Sequence, residues 1–323
     1  MGLGIDSNST LTMDNFRLLC SQYLFSPEAS IYRAHVQLFH FFPVVCCIQS
    51  VITTPMGKTS VRSLLNLPGK LSWILMELVS PASFFLTLLL NKPDPLATIL
   101  ALPTTHKILS VLYLIHYLNR ALISPLRAPA YAPAHIIVLI IATYFNYLNG
   151  YSLGSFFLLQ QGNVDEVSPF WKLRFLIGVG MWIVGFAGNV WHEDVLYEIR
   201  RRAGREHLER ARRKKDDALG EGVELVDAGA GRLVVRAENS GHIYEVPQGG
   251  LYEYCWHPHY FMEWIEWAGF LIAAGGWNCP PAINFLVNEI ASMTPRAFQG
   301  VEFYKRKFGR KMPQRKAVVP FLL

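Results

Sequence analysis

The stretch Leu71–Leu90 reads LSWILMELVSPASFFLTLLL, twenty residues with a single charged side chain, Glu77. About 20 consecutive apolar residues are what an α-helix needs to cross the hydrocarbon core of a bilayer. A carboxylate inside such a run is costly unless it is paired, hydrated or protonated. The run therefore predicts a membrane span. Glu77 within it is a residue reaching the interface, half of a structural pair, or part of a functional site.

Working outward, further apolar runs fall at 36–54, 95–118, 134–158, 171–191, 259–277 and 281–300. With 71–90 they predict an all-α integral membrane bundle of about seven transmembrane helices. Composition agrees, because only 17% of the 323 residues are charged and 51% are hydrophobic. Soluble domains carry about 25% charged residues. Two runs are imperfect. Asn149-Gly150 interrupts the fourth, which reads as one long or two short helices, and Asn284, Asn288 and Glu289 sit in the last. Polar groups there must face protein or a cavity.

The formal net charge is +6. The basic residues flank the apolar runs, so the positive-inside rule accounts for them better than nucleic-acid binding does. Arg200-Arg201-Arg202, Arg212-Arg213-Lys214-Lys215 and the basic C-terminus all read as cytosolic. Seven spans then put the N-terminus in the lumen. The expected organisation is a lumenal segment at 1–33 and a membrane-embedded domain at 34–323. A cytosolic loop at 203–242, basic and then Gly-rich, is inserted in that domain and contains a strand-like Leu233-Val234-Val235. The five cysteines are odd in number and form no CxxC, which suggests neither a disulfide framework nor a zinc site.

Three places concentrate polar chemistry near apolar surroundings. Glu77 is the first. The second is His116-Tyr117-Leu118-Asn119-Arg120, in which His116 and Arg120 share a helix face at i, i+4. The third is Pro247–Trp267, in which His259, Glu263 and Trp267 recur at one-turn spacing beside Glu266. His257, His259 and Glu263 lack the HExxH or Cys partners of a zinc site, so hydrogen-bonding roles fit better than a metal. Gly178-Val179-Gly180 with Gly185 has the wrong spacing for a dinucleotide fingerprint and no preceding strand. Neither a GxSxG nor a P-loop occurs.

Taken in order along the chain, these motifs resemble the steroid 5α-reductase family. Asn149-Gly150-Tyr151 resembles its Asn-Gly-Tyr, and Tyr244-Glu245-Val246-Pro247-Gln248-Gly249-Gly250-Leu251-Tyr252-Glu253-Tyr254 resembles its Tyr-x-Ile-Pro-x-Gly-Gly-Leu-Phe-x-Tyr. Glu263-Trp264-Ile265-Glu266-Trp267, Arg296-Ala297-Phe298, Tyr304 and the ending Arg315–Phe321 continue the likeness. In the N-terminal half Gly57-Lys58, Trp73 with Glu77, and His116-Tyr117-x-x-Arg120 carry it. Departures are Glu193 for an Asp, His259 for an Asn, Gly300 for a His and Met56 for a Tyr.

The resemblance implies an endoplasmic-reticulum membrane enzyme that uses NADPH to reduce the C4–C5 double bond of a 3-oxo-Δ4-steroid or related sterol-like enone. Glu77 and Tyr117 are the implied catalytic pair. Implied cofactor contacts are Asn189, Glu193, Arg200, Tyr244, His259, Glu263, Arg296 and Tyr304, with Lys58, Trp73 and Arg120 nearby. The implied partners are a lipophilic substrate and membrane lipids, with the protein a monomer. The chemistry suits these residues, because hydride addition to the β-carbon of an enone builds charge on the carbonyl oxygen. Donors aimed at that oxygen lower the barrier. A trans-2-enoyl-CoA or polyprenal reductase is the rival within the enzymes. A non-catalytic transporter or lipid-binding protein is the rival outside them.

Overall fold

The computed structural model describes residues 24–52, 55, 63–90, 94–160, 169–213, 234–236 and 243–323. The glycosylation sequon Asn8-Ser9-Thr10, Met56, Gly57, Lys58 and much of 203–242 lie outside the described residues.

The first apolar run is two helices, α1 (Ala29–Phe41) and α2 (Val44–Val51). Pro43 separates them, because it has no N–H with which to continue the ladder. The Phe39 carbonyl, which Pro43 cannot serve, accepts from Phe42 N at 3.2 Å and from Asn288 Nδ2 at 3.0 Å. One of the polar residues that weakens the last run in sequence is thus a helix-break partner for the first. The decisive stretch forms α3 (Gly69–Leu90). The run at 95–118 differs from one span: it is α4 (Pro95–Ala101), N-capped by Asp94, and α5 (Thr104–Tyr117), separated at Leu102-Pro103. A π-helical turn follows at Leu118–Ile123, and a short α6 at Ser124–Arg127. The fourth run is one continuous helix, α7 (Ile136–Leu159), despite its Asn149-Gly150.

Next comes α8 (Pro169–Arg213), far longer than its apolar part, so the first residues of the 203–242 segment continue a helix. Two antiparallel ribbons join the helices, β1 (Asn66–Leu67) with β2 (Ala134–His135) and, after α8, β3 (Val234–Arg236) with β4 (Ile243–Glu245). The chain ends with α9 (Pro258–Ala273), α10 (Pro280–Phe308) and a tail. Among the described residues, four helical stretches are long and apolar enough to cross a membrane: Ala29–Val51, Gly69–Leu90, Ile136–Leu159 and Pro169–Glu206. Their outer faces expose Leu75, Leu86, Ile140 and Val184, as a bilayer solvent permits.

Two helix crossings set the frame. At α3–α7, a side chain on Gly150 would run into the carbonyl of Ser80. At α8–α9, Gly178 faces Gly269 and Ala273, and Gly185 faces the backbone of Glu266. Gly178 and Gly185, with Gly269 across from them, are therefore a close-packing seam of the kind membrane helices use in place of hydrophobic burial, whereas Gly180 faces open space. The tail folds back beneath α9. Trp256 N donates to Lys316 O at 2.9 Å and His257 N to Ala317 O at 3.0 Å. Val318 is fully buried in a cluster with Trp264, Met293 and Ala297.

The C-terminal ends of α8 and α10 meet at β4. Arg202 pairs with Glu245 at 3.0 Å, and Lys307 lies over the Tyr244 ring at 4.9 Å. Both ends expose basic side chains, among them Arg200, Arg205, Lys305 and Arg306, so one face of the bundle carries the charge the sequence assigns to the cytosol.

Candidate active site

A cavity of about 310 Å³ opens among α2, α3, α5, α7, α9 and α10. Its lining brings together Glu77 and Tyr117, the two residues singled out for catalysis, with Trp73, Arg120, Glu263 and Arg296. Helix geometry explains the grouping. Trp73 and Glu77 share a face of α3 at i, i+4, and Tyr117 ends α5 just before the π turn that carries Arg120. That wider turn leaves ladder carbonyls less regular, and Trp73 Nε1 donates to the Arg120 carbonyl at 3.1 Å.

Arg120 is the electrostatic centre. Its Nε lies 3.5 Å from Glu77 Oε1 and its Nη1 lies 3.3 Å from Glu263 Oε2. The guanidinium also sits 4.9 Å over the Trp73 ring. Glu77 is thus half of a buried ion pair and at the same time a wall of the cavity. Buried charges persist only when so compensated. Asn189 extends the network, since its Nδ2 donates to Glu263 Oε2 at 3.2 Å and to the His259 carbonyl at 3.0 Å.

The Tyr117 hydroxyl is held by a second, uncharged network. It accepts from Asn149 Nδ2 at 2.8 Å, and Asn149 also reaches Ser80 Oγ at 3.1 Å and Tyr113 Oη at 3.3 Å. Ser80 and Tyr113 share a 2.6 Å bond. The close α3–α7 approach at Gly150 is what places Ser80 beside Asn149. Beside these, His116 Nδ1 lies 2.7 Å from Glu266 Oε1, joining α5 to α9.

The remaining candidates gather toward the basic face. Glu193 accepts from Ser124 Oγ at 2.9 Å and from Tyr197 Oη at 3.4 Å. Arg200 is exposed, 5.9 Å over the Tyr197 ring. Tyr304 stacks on Trp256 at 4.7 Å, and Arg315 lies 5.3 Å over the same indole. Burial lowers the Arg315 pKa from its ordinary value, against the opposing charge of Glu253, and raises that of Tyr252 well above its own. His259 is buried 4.4 Å from the Tyr260 ring. Among the candidates, then, six line the cavity, Asn189 bonds to its wall and to the His259 carbonyl behind it, and Glu193, Arg200, Tyr244 and Tyr304 lie outside it. Lys58 is outside the described residues.

Sequence reading left out Asn146, Asn149, Ser80 and Tyr113. The three small polar residues sit in apolar runs and Asn149 belongs to a quoted motif, so an intramembrane amide was the available signal.

Residues 228–323 match the family model described as 3-oxo-5-alpha-steroid 4-dehydrogenase. An uncharacterised protein of Schizosaccharomyces pombe is 34% identical over 307 residues, covering 90% of this chain and 99% of that protein. A steroid 5-alpha-reductase of Solanum lycopersicum is 29% identical over 315 residues, covering 93% of this chain and all of the relative. The chain belongs to the steroid 5α-reductase family. A 3-oxo-5-alpha-steroid 4-dehydrogenase 1 of Homo sapiens is a further relative, 28% identical over 260 residues, 80% of this chain and 82% of its own. For a steroid 5α-reductase family member, the cavity with Glu77, Tyr117 and Arg120 is the natural candidate active site.

Proposed function

We propose that this protein is an NADPH-dependent membrane reductase that saturates the C4–C5 double bond of a 3-oxo-Δ4-steroid or a related sterol-like enone. The observation that carries the reading is the convergence of Glu77 and Tyr117, from different helices, on one cavity. The apolar part of that cavity, with Val45, Ile48, Ile52, Ile137 and Ile141, suits a flat lipophilic ligand. Ile48, Ile137 and Ile141 are also exposed on the outer surface, which suits a ligand drawn from lipid.

The donor set fits a dinucleotide. At about 310 Å³ the cavity is at the low end of small-molecule clefts, roughly 300–1,000 Å³, so it takes a reacting ring and not a whole dinucleotide. Beyond it, the basic face offers Arg200 and Lys307, cations that suit phosphates. Trp256, between Tyr304 and Arg315, has a buried indole N–H with no acceptor among the described residues. Trp73, Arg120, Asn189, Glu263 and Arg296 would hold the reacting end. Glu193, Arg200, Tyr244, His259 and Tyr304 would hold the remainder, and Lys58 is a further candidate contact. When bound, the reduced nicotinamide supplies the hydride.

The chain's own groups do the rest. The Tyr117 hydroxyl donates to the substrate carbonyl oxygen, where charge develops. Asn149 holds that hydroxyl in place from behind. Glu77 orients the same oxygen or shares its proton, and Arg120 fixes Glu77. Apolar side chains that α2 and α7 contribute to the lining disfavour water there. We place the protein in the endoplasmic-reticulum membrane as a monomer, with its N-terminus lumenal and its basic face cytosolic. The segment 1–33 is then lumenal, 34–323 the reductase domain and 203–242 its cytosolic insertion.

The test uses purified protein in nanodiscs. NADPH should raise its thermal midpoint and be oxidised with a Δ4-3-ketosteroid. Oxidation with an enoyl-CoA or a polyprenal alone would move the substrate class while keeping the reaction. Neither stabilisation nor oxidation with any of the three would refute the reading.

A further inference from the structure

Reduction of an enone needs a hydride at the β-carbon and a proton at the α-carbon. Tyr117 and Glu77 attend to the oxygen, which leaves the α-carbon proton without a source. Another acid–base pair borders the same cavity. His116 is the residue before Tyr117 and lines the cavity with it. Its Nδ1 lies 2.7 Å from Glu266 Oε1, so Nε2 is the ring nitrogen left for the cavity. The ring is wedged edge-on between Trp267 at 4.7 Å and Tyr117 at 5.1 Å, which fixes its direction.

Glu266 has 0% exposure, and its Oε2 has no hydrogen-bond partner among the described residues. Arg120 is taken by Glu77 and Glu263. Among the described residues, His116 is the group that Glu266 pairs with. A buried carboxyl joined to one imidazole that borders a cavity is a proton-holding pair, the base oriented by a third group as in other acid–base sites.

Resting on the enone-reductase reading, we infer that His116 and Glu266 deliver the α-carbon proton, with His116 Nε2 as donor and Glu266 orienting and charging the ring through Nδ1. The count balances. The hydride pair forms the new β-carbon C–H bond, and the alkene π pair moves toward the carbonyl to give an enolate. The enolate pair then takes the Nε2 proton and forms the α-carbon C–H bond, restoring the carbonyl. The His116–Glu266 pair is left one proton short and recovers it from water that enters when product leaves. His116 is a catalytic residue in this scheme and Glu266 a positioning residue.

The alternative role, a structural tie between α5 and α9, predicts lost stability with unchanged chemistry. The test compares wild type, His116→Gln and Glu266→Gln in nanodiscs, with a Δ4-3-ketosteroid as probe. Thermal midpoints and NADPH affinity are measured alongside. Both variants should lose about 100-fold or more in kcat, with KM for the steroid within about threefold. The rate effect of 4-deuterated NADPH should shrink as protonation becomes limiting, while the solvent deuterium effect grows. In D₂O, wild type should place deuterium on one face of the α-carbon, and His116→Gln should give both faces. Should His116→Gln fail to fold, Glu266→Gln, which keeps the shape and a hydrogen-bonding amide, decides the matter alone. Isotope effects equal to wild type in a folded variant, or kcat within about threefold, would overturn the assignment. Absence of any turnover by wild type on the three substrates would instead sink the reaction itself.

Discussion

Replacing Tyr117 by Phe separates the chemistry from the fold. Tyr117 is 2% exposed, and its hydroxyl accepts from Asn149 Nδ2 at 2.8 Å and donates to Asn146 Oδ1 at 3.5 Å. Its loss does not strand Asn149, whose amide keeps Ser80 Oγ at 3.1 Å and Tyr113 Oη at 3.3 Å. The 3.5 Å bond is too long to count for much. The folding cost is therefore that of one net hydrogen bond, about 1 kcal/mol. Loss of one donor to a developing oxyanion costs about 10²–10³ in kcat, or roughly 2.7–4 kcal/mol. The catalytic effect should exceed the stability effect by about threefold in free energy. The assay is NADPH oxidation at saturating steroid, with thermal unfolding measured on the same preparation. A folded Tyr117→Phe with kcat within about threefold of wild type would refute the role given to the phenol.

Other perturbations test the scaffold and the ion pairs. Gly150→Val would drive a side chain into the Ser80 carbonyl, so the α3–α7 contact should open. A destabilisation of at least 1–3 kcal/mol is expected, roughly the cost of overpacking, with kcat reduced because Asn149 moves; circular dichroism melts and turnover check both. Glu263→Ala should cost about 3 kcal/mol in a denaturant titration, the low end for a broken buried pair, because Arg120 keeps Glu77. The same variant should weaken NADPH binding measured by thermal shift. Burial pushes the Cys255 thiol up to about 12, so its thiolate is scarce at any pH below that value. Maleimide at pH 8 should label Cys255 only after unfolding, as read by peptide mass spectrometry.

Much of the bundle was legible because the bilayer writes it in composition. Glu77 inside an apolar run and Tyr117 with Arg120 at the end of another were visible for the same reason, since charge in such runs needs an explanation. Helix limits were less legible. Pro43 and Pro103 break runs whose hydropathy is continuous, and the partner that tolerates the first break, Asn288, is 245 positions away in sequence. The extension of α8 to Arg213 was hidden because its second half is polar, where no apolar period marks a helix. Asn149-Gly150 looked like an interruption, yet Gly150 is small because Ser80 packs there and Asn149 faces Tyr117. The Glu266–His116 pair needed the crossing of α5 and α9, which no spacing within one segment reveals.

The central claim is hydride delivery to an enone held between Glu77 and Tyr117. Its most direct measurement uses NADPH deuterated at the nicotinamide C4 with a Δ4-3-ketosteroid, followed by mass spectrometry and NMR of the product. The account predicts one deuterium, at the β-carbon, and loss of that product in the Tyr117→Phe and Glu77→Gln variants. Saturated product with no label, or full label transfer in both variants, would contradict it.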